Sequence, residues 1–118
     1  MRRVGLAILL SWIMAAPLAA DTALAQIVVT PTETGATIKG RVLGLAKGSA
    51  HAVLSISKTG PGGTSNLQQS RSLNLSRGSE DDVGRTHLSL QKGAEVTVSL
   101  TVTENEKIIA TSETYFGF

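Results

Sequence analysis

Four groups of residues have types and spacings that can do chemistry. Ser55 and Lys58 form a Ser-x-x-Lys pattern, in which an amine activates a serine hydroxyl as a nucleophile. That pattern belongs at a helix start beside further catalytic motifs, and the chain supplies neither. His51 and His87 are the only histidines. Both fall at outward positions of extended segments, and two imidazoles without a third ligand read as surface residues and not as a metal site. Glu80, Asp81 and Asp82 put three carboxylates in a row but lack the alternating oxygen ligands and central glycine of a calcium loop, so they read as a solvated turn. Asn74-Leu75-Ser76 matches a glycosylation sequon, placed by the surrounding pattern inside a strand. There is no cysteine, which removes thiol nucleophiles, cysteine zinc sites and disulfides. No glycine-rich loop follows a strand and opens a helix to cradle phosphate. The expectation is a protein that is not an enzyme and uses no cofactor or metal.

The elements that must position any site are strands. In the stretch 94–103, Val96, Val98, Leu100 and Val102 alternate with Thr97, Ser99, Thr101 and Thr103. One face is aliphatic and the other bears hydroxyls, the signature of a half-buried strand built from β-branched residues. Six more strands are expected at 26–32, 36–45, 49–58, 67–76, 83–91 and 107–116, separated by turn residues. The run from Gly60 to Asn66 reads as a flexible connection, and 77–82 as a charged loop. Seven short strands at roughly ten-residue spacing predict an all-β fold, a seven-stranded immunoglobulin-like β-sandwich.

Residues 1–25 are expected to be a signal peptide. Arg2 and Arg3 precede an apolar run from Val4 to Ala16, and Ala23-Leu24-Ala25 offers small residues at the two positions a signal peptidase reads, which predicts cleavage before Gln26. The apolar run is shorter than the roughly 20 residues that span a bilayer, so no stable membrane insertion is expected after cleavage. The mature domain, 26–118, then has about 90 residues, enough for one domain. Removing the leader lowers the formal charge of +2, and a balance this near zero argues against nucleic acid as partner. Trp12 leaves with the leader, and Tyr115, Phe116 and Phe118 at the C-terminus are the remaining aromatics. The core is therefore expected to be aliphatic.

The segments S-R-S-L-N-L-S, V-G-R-T-H-L-S-L and V-T-V-S-L-T-V-T-E-N-E-K-I-I-A-T, together with the leader and the cysteine-free sandwich pattern, resemble the curli assembly inhibitor family CsgC/CsgH, on the CsgH side of it. The resemblance runs from about Ile27 to Phe116. It implies a periplasmic, chaperone-like monomer that holds a curli-type amyloid subunit apart from its own kind by non-covalent binding. Some CsgC proteins carry a Cys-x-Cys pair on the third strand; Ala50 and Ala52 stand at the matching positions here, which excludes a redox role for that pair. The competing reading is a structural or adhesive immunoglobulin-like module of the envelope or of a pilus, without anti-amyloid activity.

Strand phase predicts where a client would bind. Ile38 and Val42 point inward, which sets Lys39 and Arg41 on the outer face of the second strand, while Leu88 and Leu90 do the same for Arg85 and His87 on the fifth. An immunoglobulin-like topology makes these strands neighbours. Lys39, Arg41, Arg85 and His87 are thus expected to form a basic stripe that receives the client, although such a stripe also serves simply to keep a sheet soluble.

Overall fold

The computed structural model describes residues 22–118, so the expected leader lies outside the described residues up to position 21. The chain forms seven strands: β1 Ala23–Thr32, β2 Gly35–Gly44, β3 Gly48–Gly60, β4 Gly63–Leu75, β5 Glu80–Ser89, β6 Glu95–Glu104 and β7 Lys107–Gly117. They make two antiparallel sheets, one of three strands in the order β1-β2-β5 and one of four in the order β4-β3-β6-β7. There is no helix among the described residues. The fold is the expected all-β sandwich. β4 lies beside β3 in the larger sheet, unlike the four-plus-three arrangement of antibody constant domains, in which the fourth strand joins the first, second and fifth.

β6 supplies the middle of the packed layer because its alternation is unbroken: Val96, Val98, Leu100 and Val102 are fully buried. Opposite them on β3, Ala52 pairs with Val102, Leu54 with Leu100 and Ile56 with Val98. Ile38 and Val42 of β2 close the layer from the other sheet, with Leu73 and Leu75 of β4 at its side. Every fully buried side chain of appreciable size is aliphatic, and burying each contributes roughly 1.5–3 kcal/mol. Phe116 packs against this layer only partly buried.

Three boundaries differ from the sequence expectation, each for a local reason. β1 starts at Ala23, because residues 23–25 pair with Gly44, Leu43 and Val42. Residues 60–66 are not a flexible connection. Pro61 and Gly62 alone form a two-residue turn, and Thr64, Ser65 and Asn66 pair with Thr59, Lys58 and Ser57. The polar composition that suggested a loop belongs instead to a solvated edge strand. The third difference is at 80–82, expected in a charged loop and found inside β5, where Glu80, Asp81 and Asp82 pair with Leu43, Val42 and Arg41. The turn before β5 is tight. Gly44 donates to the Ser79 carbonyl at 2.8 Å and accepts from Gly78 at 2.9 Å, and a Cβ on Gly44 would stand 2.1 Å from the Ser76 carbonyl oxygen. Only glycine allows this approach.

Candidate functional site

The site expected from the sequence lies on the outer face of the three-stranded sheet, and the β2–β5 ladder determines its layout. Lys39 stands directly opposite Arg85, Thr37 opposite His87, and Arg41 opposite Asp82. Val28, Gln26 and Thr30 of β1 flank Lys39, Arg41 and Thr37 on the other side. Arg85 and His87 are exposed, and Lys39 and Arg41 half-buried. The His87 Nδ1 lies 3.4 Å from the Thr37 hydroxyl. All four predicted residues therefore share one face, but they are not equivalent.

The difference comes from a register shift between Gly40 and Arg41. Gly40 faces Gly84 and Arg41 faces Asp82, so Val83 is the extra residue of a β-bulge. Val83 turns into the core at 6% exposure although Arg85, two residues on, points out. Beyond the bulge the phase is inverted, which brings Glu80 and Asp82 onto the same outer face as the cations. Arg41 is 3.7 Å from each of these carboxylates. It is the neutralised member of the set. Lys39 and Arg85 make no salt bridge among the described residues, and like charges directly opposite each other on a sheet are destabilising by roughly 0.2–1 kcal/mol.

Sequence reasoning missed Glu80 and Asp82. Their signal was the break in alternation at Val83-Gly84, since a glycine within a strand pattern often marks a bulge. The seam behind these residues is closed by polar groups. Arg71 of β4 donates to the Asp82 carbonyl at 2.6 Å, while one carboxylate oxygen of Asp81 and the amide oxygen of Gln69 are buried without partners.

The other chemical candidates come apart in space. His51 lies on the outer face of the four-stranded sheet, paired with Thr103, and His87 on the opposite side of the molecule, so they cannot share an ion. Ser55 and Lys58 alternate to opposite faces of β3, and the Lys58 ammonium donates to the Ser89 carbonyl at 3.3 Å. Among the described residues no three His, Asp or Glu side chains converge as a metal site would require.

No family model matches the chain, and no curated protein matches it. Solved structures do. The solution structure of CsgH from R. palustris aligns at a TM-score of 0.60 and 18% identity, covering 75% of this chain and 89% of that one. The E. coli curli protein CsgC aligns at a TM-score of 0.68 and 15% identity, covering 77% of this chain and 96% of that one. The chain has the fold of CsgH and CsgC. At these identities the likeness is one of architecture. The CsgH-like fold accounts for the neighbouring positions of β2 and β5, while the bulge and the distribution of charge are read from this chain's own residues.

Proposed function

We propose that this protein is a periplasmic inhibitor of amyloid polymerisation, which binds a curli-type subunit non-covalently through the outer face of the three-stranded sheet. The observation that carries the reading is the Lys39–Arg85 apposition: two cations held opposite each other without an acidic partner. This arrangement costs stability in the free protein, and an acidic segment laid across it relieves the repulsion. Likeness in fold to CsgH and to the curli protein CsgC supports the same direction. The mechanism requires no bond to break. An extended segment held on a folded sheet is withdrawn from the pool of identical segments that would otherwise stack into cross-β. His87 and Thr37 extend the contact along the strands, and Arg41, tied to Glu80 and Asp82, frames it. The protein acts as a monomer after export. No helix among the described residues is long and apolar enough to cross a membrane.

Fibril growth of a curli-type subunit, followed with and without this protein, tests the reading. A lengthened lag at substoichiometric protein is expected, and the effect should shrink as salt rises from about 0.05 M to about 0.5 M, where the Debye length falls well below 10 Å. Unchanged lag and growth would point instead to a structural or adhesive envelope module. Inhibition indifferent to salt would move the contact off this face and toward a strand edge.

A further inference from the structure

The stretch Ala23-Leu24-Ala25, which reads as a cleavage signal, is also the beginning of β1. Ala23, Ala25, Ile27 and Val29 lie on the inward side of that strand, with Ala23 only 1% exposed and the other three packed against the core. Small residues at positions 23 and 25 therefore have a folding reason independent of any protease. The pairing is continuous from Ala23 opposite Gly44 to Thr32 opposite Gly35. It reaches one residue further still, since the Leu45 amide donates to the Thr22 carbonyl at 2.8 Å. The Thr22 hydroxyl donates to Glu104 of β6 at 3.5 Å. The start of β1 is thereby tied both to its neighbour in the smaller sheet and to the end of a strand in the larger one.

A cut before Gln26 removes the share of this contributed by residues 22–25, while the pairing from Gln26 to Thr32 stays. Backbone groups of residues 42–45 lose their partners on the β1 side, and the end of the core closed by Ala23 opens to water. We infer that residues 22–25 remain in the mature chain, and that the export leader is removed upstream of Thr22. Ala20 supplies a small residue directly before a bond just beyond the apolar run, with Leu18 two positions earlier, where the Ala23-Leu24-Ala25 pattern has a second small residue. Hydrolysis of the Ala20–Asp21 peptide bond by water in a signal peptidase leaves a carboxylate on Ala20 and a free amine on Asp21. The strand that follows is then intact.

Two measurements test this. The full chain is exported to a Gram-negative periplasm, purified, and its N-terminus mapped by intact mass and Edman sequencing. A start at or before Thr22 is expected, and a start at Gln26 overturns the inference. Separately, leaderless chains beginning at Asp21 and at Gln26 are compared by thermal melting. Loss of the hydrogen bonds and the buried Ala23 at the end of the ladder is expected to lower the melting temperature of the shorter chain by at least about 5 °C. Equal melting temperatures would show that residues 22–25 contribute nothing to the fold, and would overturn the inference even if the exported start were ambiguous.

Discussion

The two outer faces of the sandwich stand on the same aliphatic layer and differ in almost every other respect. The face of the four-stranded sheet carries Ser55, Ser57, Thr97, Ser99, Thr101 and Thr103 at its centre and Gln68, Ser70 and Ser72 toward β4. No lysine or arginine of the described residues lies on it, and its own hydrogen bonds tie it together: Gln68 donates to the Ser55 hydroxyl at 3.2 Å, and Thr103 to the His51 carbonyl at 3.3 Å. The face of the three-stranded sheet carries unpaired like charges at its centre and an ion-paired arginine at one end. The charged residues on the hydroxyl face are acidic: Glu95 and Glu113, on the same face as Thr97 and Ser99, make no salt bridge among the described residues. The two faces, built on one aliphatic layer, thus carry unpaired charge of opposite sign.

The largest expected effect comes from removing that common support. Leu54→Ala deletes a fully buried side chain facing Leu100, at a cost of about 2–5 kcal/mol. Thermal melting should show a fall of 10 °C or more, with both faces losing order together; a shift of only a degree or two would mean that the faces are supported independently.

Arg85→Glu sharpens the contrast because its two effects should have opposite signs. A carboxylate opposite Lys39 replaces a repulsive pair by an attractive one, so stability should rise by up to about 1 kcal/mol while the dose needed to delay fibrils rises tenfold or more. The paired substitutions Ser55→Lys and Ser99→Lys on the other face should leave that dose unchanged. Equal losses of inhibition from both changes would erase the distinction between the faces.

Arg41→Gln separates two arginines that sequence alone treats alike. It leaves Glu80 and Asp82 without their cation and should cost about 1 kcal/mol in a melting or denaturant experiment, with a smaller loss of inhibition than Arg85→Glu. Reversal of Arg41 to Glu would add a third carboxylate to the cluster, so it is a poorer probe of binding than of stability. If Arg41→Gln weakens inhibition as much as Arg85→Glu does, the ion pairs do not neutralise it.

The smallest effect lies at the rim of the hydroxyl face. A hydrogen bond to Glu95 raises the Tyr115 pKa above its usual value of 10.0, with desolvation and the Glu95 charge acting in the same sense. The folded state thus holds this proton more tightly than the unfolded chain. Its stabilising contribution is present below the unfolded pKa and is lost as pH rises through the folded one. Glu95→Gln should shift the phenolate absorbance titration downward. No shift would mean that Glu95 does not hold the phenol.

The sequence made the strands legible wherever the period of 2 ran unbroken, as in β6 from Val96 to Val102 and in β3 from Ala50 to Ile56. It placed Lys39, Arg41, Arg85 and His87 on one face because Ile38, Val42, Leu88 and Leu90 gave the phase locally. It could not carry that phase across Val83, where one extra residue moves Glu80 and Asp82 from a supposed loop to the side of Arg41. The glycine-rich stretch after Lys58 misled for a different reason: composition reports solvation, and an edge strand such as β4 is as solvated as a loop. At Ala23-Leu24-Ala25 the small residues that read as a cleavage signal lie at the start of β1, with Ala23 buried in the core.

The two-residue turn at Pro61-Gly62 also bears on the order in which the molecule assembles. β3 and β4 pair along their whole length from that turn, and β6 and β7 from Asn105-Glu106, both residues of which have positive φ of 52° and 66°. Such hairpins close small loops and form within microseconds. The β2–β5 and β3–β6 ladders have no such shortcut: their nearest pairs, Leu43 with Glu80 and Thr59 with Glu95, stand on either side of a long intervening stretch of chain, and loop-closure entropy must be met before their contacts form. The hairpins are thus kinetically near, and the ladders that complete the two sheets kinetically far. The Lys39–Arg85 apposition, which needs the β2–β5 ladder, is acquired among the chain's last contacts.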